Sequence, residues 1–237
     1  VADGDLSAPL LTYYAGPDRV ELSGATTANW VAKTANLLVD GHGSPGRVGL
    51  LLPLHWQAMC FLLGAAASGA TVVVASDAAG LDGCPLAFVL AEHASAALDA
   101  GVDDVLAVSG HPLGARATGL PPMVLDAAAE VPGHGDHFGG PHPLTAQVEV
   151  AGRVLVAADL ERGAADLGLG AVDRVLTALP LDTSLGLQVA VGALAVGASL
   201  VLVTGEVDLA AVCATERVTV TAGADVPGVR AVAQGTD

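Results

Sequence analysis

Arg47-Val48-Gly49-Leu50-Leu51-Leu52-Pro53-Leu54 leads through an apolar run to Gly69-Ala70-Thr71-Val72-Val73-Val74. The arrangement returns as Arg174-Val175, three residues, Leu179-Pro180-Leu181, and a second apolar run into Gly197-Ala198-Ser199-Leu200-Val201-Leu202. A repeat this long exceeds a solenoid period and reads as two copies of one α/β half-domain. An amphipathic, Ala-rich stretch closing in a Gly-containing loop precedes each copy.

The runs before Leu-Pro are short and continuously apolar, as in parallel strands buried on both faces. In the first copy, Thr26-Thr27 can cap a helix over 28–40 that Gly41 to Gly46 stops. A strand over 48–52, a helix over 55–68 and a strand from Thr71 make a crossover unit. A weaker helix is expected over 86–93, with strands over 96–98 and 105–108. Residues 110–144 are rich in Gly, Pro and His, and only 122–128 reads as an element. The second copy predicts a strand over 148–150, a helix over 154–168, a strand over 175–179 and a helix over 184–196. A strand over 200–203, a helix over 207–215 and a last strand over 218–222 follow. The fold class is α/β, as two doubly wound lobes over 1–110 and 148–237 joined by a connection over 111–147. The lobes are expected to form one compact unit.

The 237 residues are 52% hydrophobic but only 3% aromatic, so the core is built from Ala, Val, Leu and Gly. A net charge of −16 speaks against nucleic acid or an anionic membrane as a partner, since both need Lys/Arg footprints. Its simplest meaning is a solvated acidic surface around an apolar chain. Cys60, Cys84 and Cys213 are widely spaced in apolar contexts, which suits reduced, buried thiols. The first residues lack a basic-then-apolar leader, and no segment offers about 18 uninterrupted apolar residues. A cytoplasmic location is expected.

The motifs resemble the large N-terminal domain of the adenylate-forming enzymes: acyl-CoA synthetases, luciferases and peptide-synthetase adenylation domains. That family has a loop Gly-x-x-Pro-Gly-Asp-x-Val, a strand ending in Leu-Pro, a helix, and Ala-Gly-Ala before a Val-rich strand. Gly43 to Val48, Leu52-Pro53 and Ser68 to Val73 follow this order, with Arg47 in the Asp place. Arg174 to Pro180, Gly197-Ala198 and Arg217-Val218-Thr219-Val220 are similar to the family's later strands.

The resemblance weakens where the family does chemistry. Its members hold ATP phosphates on a loop of the type Thr-Ser-Gly-Thr-Thr-Gly-x-Pro-Lys-Gly. Phe138-Gly139-Gly140-Pro141-His142-Pro143-Leu144-Thr145-Ala146 stands there, without a hydroxyl cluster or a lysine. Lys33 is the only lysine of the sequence. The sequence also stops before the family's Tyr-Gly-x-Thr-Glu segment, its ribose-binding Asp and its mobile C-terminal lid. The resemblance therefore implies a truncated, motif-degenerate relative without the ATP/Mg site, needing no cofactor and forming no acyl-adenylate.

Candidate ligand contacts are Asp182, Thr183 and Ser184, where the family carries an aromatic residue and a His lining its acyl pocket. Strand C-termini of open α/β sheets are where ligands sit, but the same residues suit a helix N-cap. His55 and Trp56 hold the equivalent place in the first copy, with helix-start packing as the alternative. His134, Asp136, His137 and His142 fit no standard zinc spacing, so no metal site is expected. Ser44 has Gly46 two residues on but His42 two residues before, where a nucleophile elbow needs a second glycine.

Three functions stay open. The first is an uncharacterised pseudoenzyme binding a small nucleotide or acyl ligand without adenylation. The second is an enzyme of unrecognised chemistry between the lobes. The third is a structural or interaction protein that forms a homodimer.

Overall fold

The computed structural model describes residues 6–140 and 147–232. The order is β1 (Pro9–Ala15), β2 (Asp18–Ser23), α1 (Gly24–Asn36), β3 (Arg47–Leu51), α2 (Trp56–Ala67), β4 (Thr71–Val74), β5 (Leu86–Leu90), α3 (Ala94–Asp99), β6 (Asp104–Val108), β7 (Val124–Asp126) and α4 (Ala127–Glu130). It continues with β8 (Gln147–Val150), β9 (Arg153–Val156), α5 (Ala157–Asp166), β10 (Arg174–Thr177), α6 (Ser184–Ala195), β11 (Ser199–Thr204), α7 (Leu209–Glu216), β12 (Val220–Ala222) and β13 (Arg230–Ala231).

The strands form two sheets. The seven-stranded sheet runs β7-β6-β5-β3-β4-β8-β9, all parallel except the edge strand β9. The six-stranded sheet runs β13-β12-β10-β11-β1-β2, all parallel except β2. The chain divides into two compact units. Val1–Thr27, Leu54–Trp56 and Ala157–Asp237 make one, and Ala28–Pro53 with Gln57–Val156 make the other.

This replaces the lobe boundaries at 110 and 148. The β1–β2 hairpin adds to the C-terminal sheet, Leu11 to Ala15 lying beside Leu200 to Thr204. The β8–β9 hairpin adds to the N-terminal sheet, Val72 to Val74 lying beside Val148 to Val150. Strand β7, inside the expected connection, extends that sheet beyond β6. Hairpins carry their own hydrogen bonds to whichever parallel edge accepts them, and no local pattern specifies that edge.

Several elements also differ from their sequence reading. Residues 86–90 are a strand: Leu86, Ala87, Phe88 and Val89 are all buried, as a parallel strand covered on both faces requires. Residues 96–98 lie inside α3. The expected helix over 154–168 opens as β9, because Ala151 and Gly152 (φ 47° and 74°) turn the chain back in a tight hairpin. Helix α1 starts at Gly24, two residues before the Thr26-Thr27 cap, and Ser23 Oγ accepts from Thr26 N instead. A single π turn over Leu37–Gly41 ends this helical stretch.

In the seven-stranded unit Phe61 of α2 stacks on Phe88 of β5 at 4.5 Å. The opposite face packs Leu51, Ala87 and Val89 with Leu81, Ala94 and Ala97. In the six-stranded unit α7 covers Leu176, Val201 and Val203 with Val212 and Cys213. The alternate residues Val175, Leu200 and Leu202 are buried too, so both faces are covered.

The repeat extends further than its motifs. Five residues before each Gly-Ala turn stands a glycine, Gly64 in α2 and Gly192 in α6. A Cβ on Gly64 would meet Thr34 of α1 at 2.4 Å, and one on Gly192 the Leu160 carbonyl of α5 at 2.4 Å. Each crossover helix thus presses against the helix before its half-domain.

The repeated arginine also has a role in each copy. Arg47 grips Glu149 of β8 with two hydrogen bonds (2.7 and 2.9 Å), and these bonds hold the Glu149 carboxyl below the usual range. Arg174 donates to Glu216 at the end of α7 (2.6 Å) and to Thr12 of β1 (2.9 Å). Both arginines open their strands, at the end remote from Leu-Pro. They tie each core strand to the element that completes its sheet.

Candidate functional site

In both sheets the Leu-Pro loop leaves the C-terminal end of the strand beside the topological switch. Strand β10 lies between β11 and β12, and β3 lies between β4 and β5. Successive connections depart to opposite sides there, leaving the crevice where open α/β sheets take ligands.

Asp182, Thr183 and Ser184 stand in that position after β10. Thr183 is the N-cap of α6: its Oγ1 accepts from Gly186 N at 3.0 Å and donates to the Pro180 carbonyl at 3.1 Å. The capping alternative is therefore realised at Thr183. Asp182 and Ser184 flank it, both partly exposed. Thr183→Ala is expected to cost about 1 kcal/mol, a fall of about 2–4 °C in thermal midpoint, readable by differential scanning fluorimetry.

His55 and Trp56 belong to the same compact unit but are 3% and 5% exposed. The His55 ring lies edge-on to Tyr13 at 4.6 Å and tilted to Trp56 at 5.7 Å. Both side chains are packed, as the alternative reading had it.

The C-terminal ends of β1 and β11 open into a surface cavity of about 390 Å³. Tyr14, Pro17, Glu206, Val207 and Asp208 line it. No sequence motif announced it, because its walls come from the β1–β2 turn and the α7 cap, about 190 residues apart in sequence. Along the C-terminal edge of the sheet, Asp182 follows β10, and Glu206 and Asp208 follow β11.

Arg19, Arg174 and Arg230 of this unit are engaged elsewhere. The Glu216 side chain, 4% exposed, accepts from Arg19 (2.8 Å), Tyr14 (2.7 Å) and Arg174 (2.6 Å). Burial raises its pKa, but the hydrogen bonds from Arg19, Tyr14 and Arg174 outweigh burial and hold the carboxyl down to about 2. Arg230 pairs with Asp173.

Lys33 lies in the other unit, where its Nζ donates to the carbonyls of Pro132 (3.1 Å) and His134 (2.6 Å). Of the stretch standing in the place of the family's phosphate loop, Phe138 to Gly140 are described, while 141–146, with His142, lie outside the described residues. Among the described residues no three or more His, Cys, Asp or Glu side chains are grouped to hold a metal ion. None of their helices is long and apolar enough to cross a membrane. Cys60, Cys84 and Cys213 are free and buried, and burial pushes the Cys60 thiol far up.

No family model matches the sequence. A TIGR03089 family protein of Mycobacterium tuberculosis is 40% identical over 209 residues, covering 82% of this chain and 82% of its own. This chain belongs to the TIGR03089 family. Among solved structures, an acyl-CoA synthetase from Brucella canis superposes with a TM-score of 0.74 at 19% identity, covering 94% of this chain and 46% of its own. A long-chain-fatty-acid-CoA ligase from Archaeoglobus fulgidus gives 0.70 at 14% identity, over 91% and 48%. An amide bond synthetase from Marinactinospora thermotolerans gives 0.62 at 20%, over 90% and 45%. This TIGR03089 family member therefore has the adenylate-forming fold and spans about half the length of those solved relatives.

Proposed function

We propose that this TIGR03089 family protein binds a small acyl compound at the C-terminal edge of its six-stranded sheet and forms no acyl-adenylate. The observation that carries the second half is the place of Lys33. Nucleotidyl transfer depends on cations set against the phosphates, and the one lysine of the sequence is spent on two loop carbonyls. The Gly- and Pro-rich stretch from Phe138 offers no other ammonium.

The first half rests on Asp182 to Ser184 at the switch point and on the cavity lined by Tyr14 at the C-terminal ends of β1 and β11. Asp182, Glu206 and Asp208 at this edge repel phosphates and favour an acyl group over a nucleotide. Val207, Pro17 and the Tyr14 ring supply apolar wall.

Two measurements test this. Acid-dependent exchange of pyrophosphate into ATP is expected to stay at background, and exchange above it overturns the non-adenylating reading. Uncharged acyl compounds, the esters and amides of such acids, should raise the thermal midpoint, since a ligand that binds only the folded state stabilises it, and Asp182→Ala should weaken that shift. A shift with ATP and Mg²⁺ but none with acyl compounds would reverse the ligand assignment.

A further inference from the structure

Strands β7 and β8 follow each other in sequence but lie at opposite sides of the seven-stranded sheet, five strand positions apart, a span of about 24 Å. Most crossovers of such length carry a helix that satisfies its own backbone. Among the described residues, this one has only α4 and a 3-10 turn over Val131–Gly133. The next residues, His134-Gly135-Asp136-His137, form no helix or strand, and their backbone carbonyls need donors from elsewhere.

Helix α1 supplies them. Lys33 and Asn36, three residues apart and so on one face, reach the segment together. Lys33 Nζ donates to Pro132 and His134, and Asn36 Nδ2 donates to Gly135 (2.8 Å) and His137 (2.9 Å). Four carbonyls in six residues are thus captured by two side chains. Gly41, at the end of the π turn, completes the contact, since a Cβ there would come within 3.7 Å of the His134 ring.

We propose that Lys33 and Asn36 form a clasp that locks the β7–β8 connection onto α1, with the Lys33 charge as its latch. The ammonium donates N–H bonds to two carbonyl oxygens, which a bare metal cation cannot do. Removing it leaves those two carbonyls without their cationic donor, and residues 132–137 come away from α1 while the sheet stays paired. Charge-assisted hydrogen bonds are the stronger kind, so Lys33 contributes more to closure than Asn36.

The clasp can be read by protease. Phe138, half-buried, directly follows the clasped residues and offers chymotrypsin a site whose cleavage quickens as the segment opens locally. Lys33→Met is expected to speed cleavage after Phe138 by about tenfold or more, with Asn36→Ala giving a smaller increase. In Lys33→Met, added ammonium chloride should slow cleavage again, while sodium chloride at equal ionic strength should not. Rates within twofold of the parent protein in both folded variants would overturn the clasp. Faster cleavage that ammonium does not reverse would overturn the charged latch. Should Lys33→Met fail to fold, Asn36→Ala and Lys33→Gln carry the same comparison.

Discussion

Glu216→Ala is expected to remove about 3–5 kcal/mol of folding stability, the usual cost of deleting one partner of a buried ion pair. A domain holds only about 5–15 kcal/mol in total, so this is among the most damaging single changes available. The loss has a definite source. Arg174, whose side chain is 15% exposed, would keep its charge without its carboxylate, and Tyr14 would lose its acceptor. The link between β1, β10 and the end of α7 would go with them. A urea titration measures it as a lower midpoint with an unchanged slope, and a change below about 1 kcal/mol would show that the cluster is not what closes this sheet.

The same carboxyl sets a pH dependence. Its folded pKa, about 2, lies below the ordinary value of 4.5. The stabilisation, about 3 kcal/mol by linkage, is fully present above about pH 4.5 and is lost as pH falls through 2. Glu216→Gln cannot titrate, so the stability gap between parent and variant should narrow between pH 5 and pH 2. A gap independent of pH over that window would refute the depressed pKa. Glu149 and Asp173 are also held low, but they titrate equally in both proteins and cancel.

Gly186→Ala should be of similar severity for a steric reason. Gly186 opens the first turn of α6, directly over the Leu-Pro loop. A Cβ there would stand 1.8 Å from the Pro180 carbonyl oxygen and 2.9 Å from Thr183 Oγ1. The first is a backbone atom that no rotamer change can move. Either α6 lifts or the Leu179–Leu181 loop shifts, and about 3 kcal/mol or more is expected to be lost. Because that loop carries Asp182, any acyl-compound thermal shift should vanish as well. Gly170→Ala is the control, with nothing within 4 Å of its Cβ. A Gly186→Ala protein as stable as the control would mean that this close approach is not a constraint.

The repeated motifs located the two Leu-Pro loops correctly, because a buried strand ended by proline is a local event. The glycines from Gly41 likewise announced the end of the helical stretch that α1 begins. Leu86 to Leu90 was harder: a continuous apolar run of this length suits a helix or a buried strand equally, and only pairing with β3 and β6 settles it. Thr183 was legible as a cap from its place before an apolar helix. The wall of Tyr14, Glu206 and Asp208 was not, since nothing local ties a hairpin turn to a helix start so far away.

The sequence by itself determined the α/β class, the two half-domains, the glycines and arginines they share, and the absence of a lysine beyond Lys33. These follow from periodicity, chain reversal and residue chemistry, which act over a few residues. Only the tertiary structure decided that β1–β2 completes the C-terminal sheet and β8–β9 the N-terminal one. It also decided that Arg47 and Arg174 find Glu149 and Glu216, and that Lys33 closes on a loop about 100 residues away. Strand edges accept any partner with free backbone groups, so the choice among edges rests on long-range burial and charge pairing.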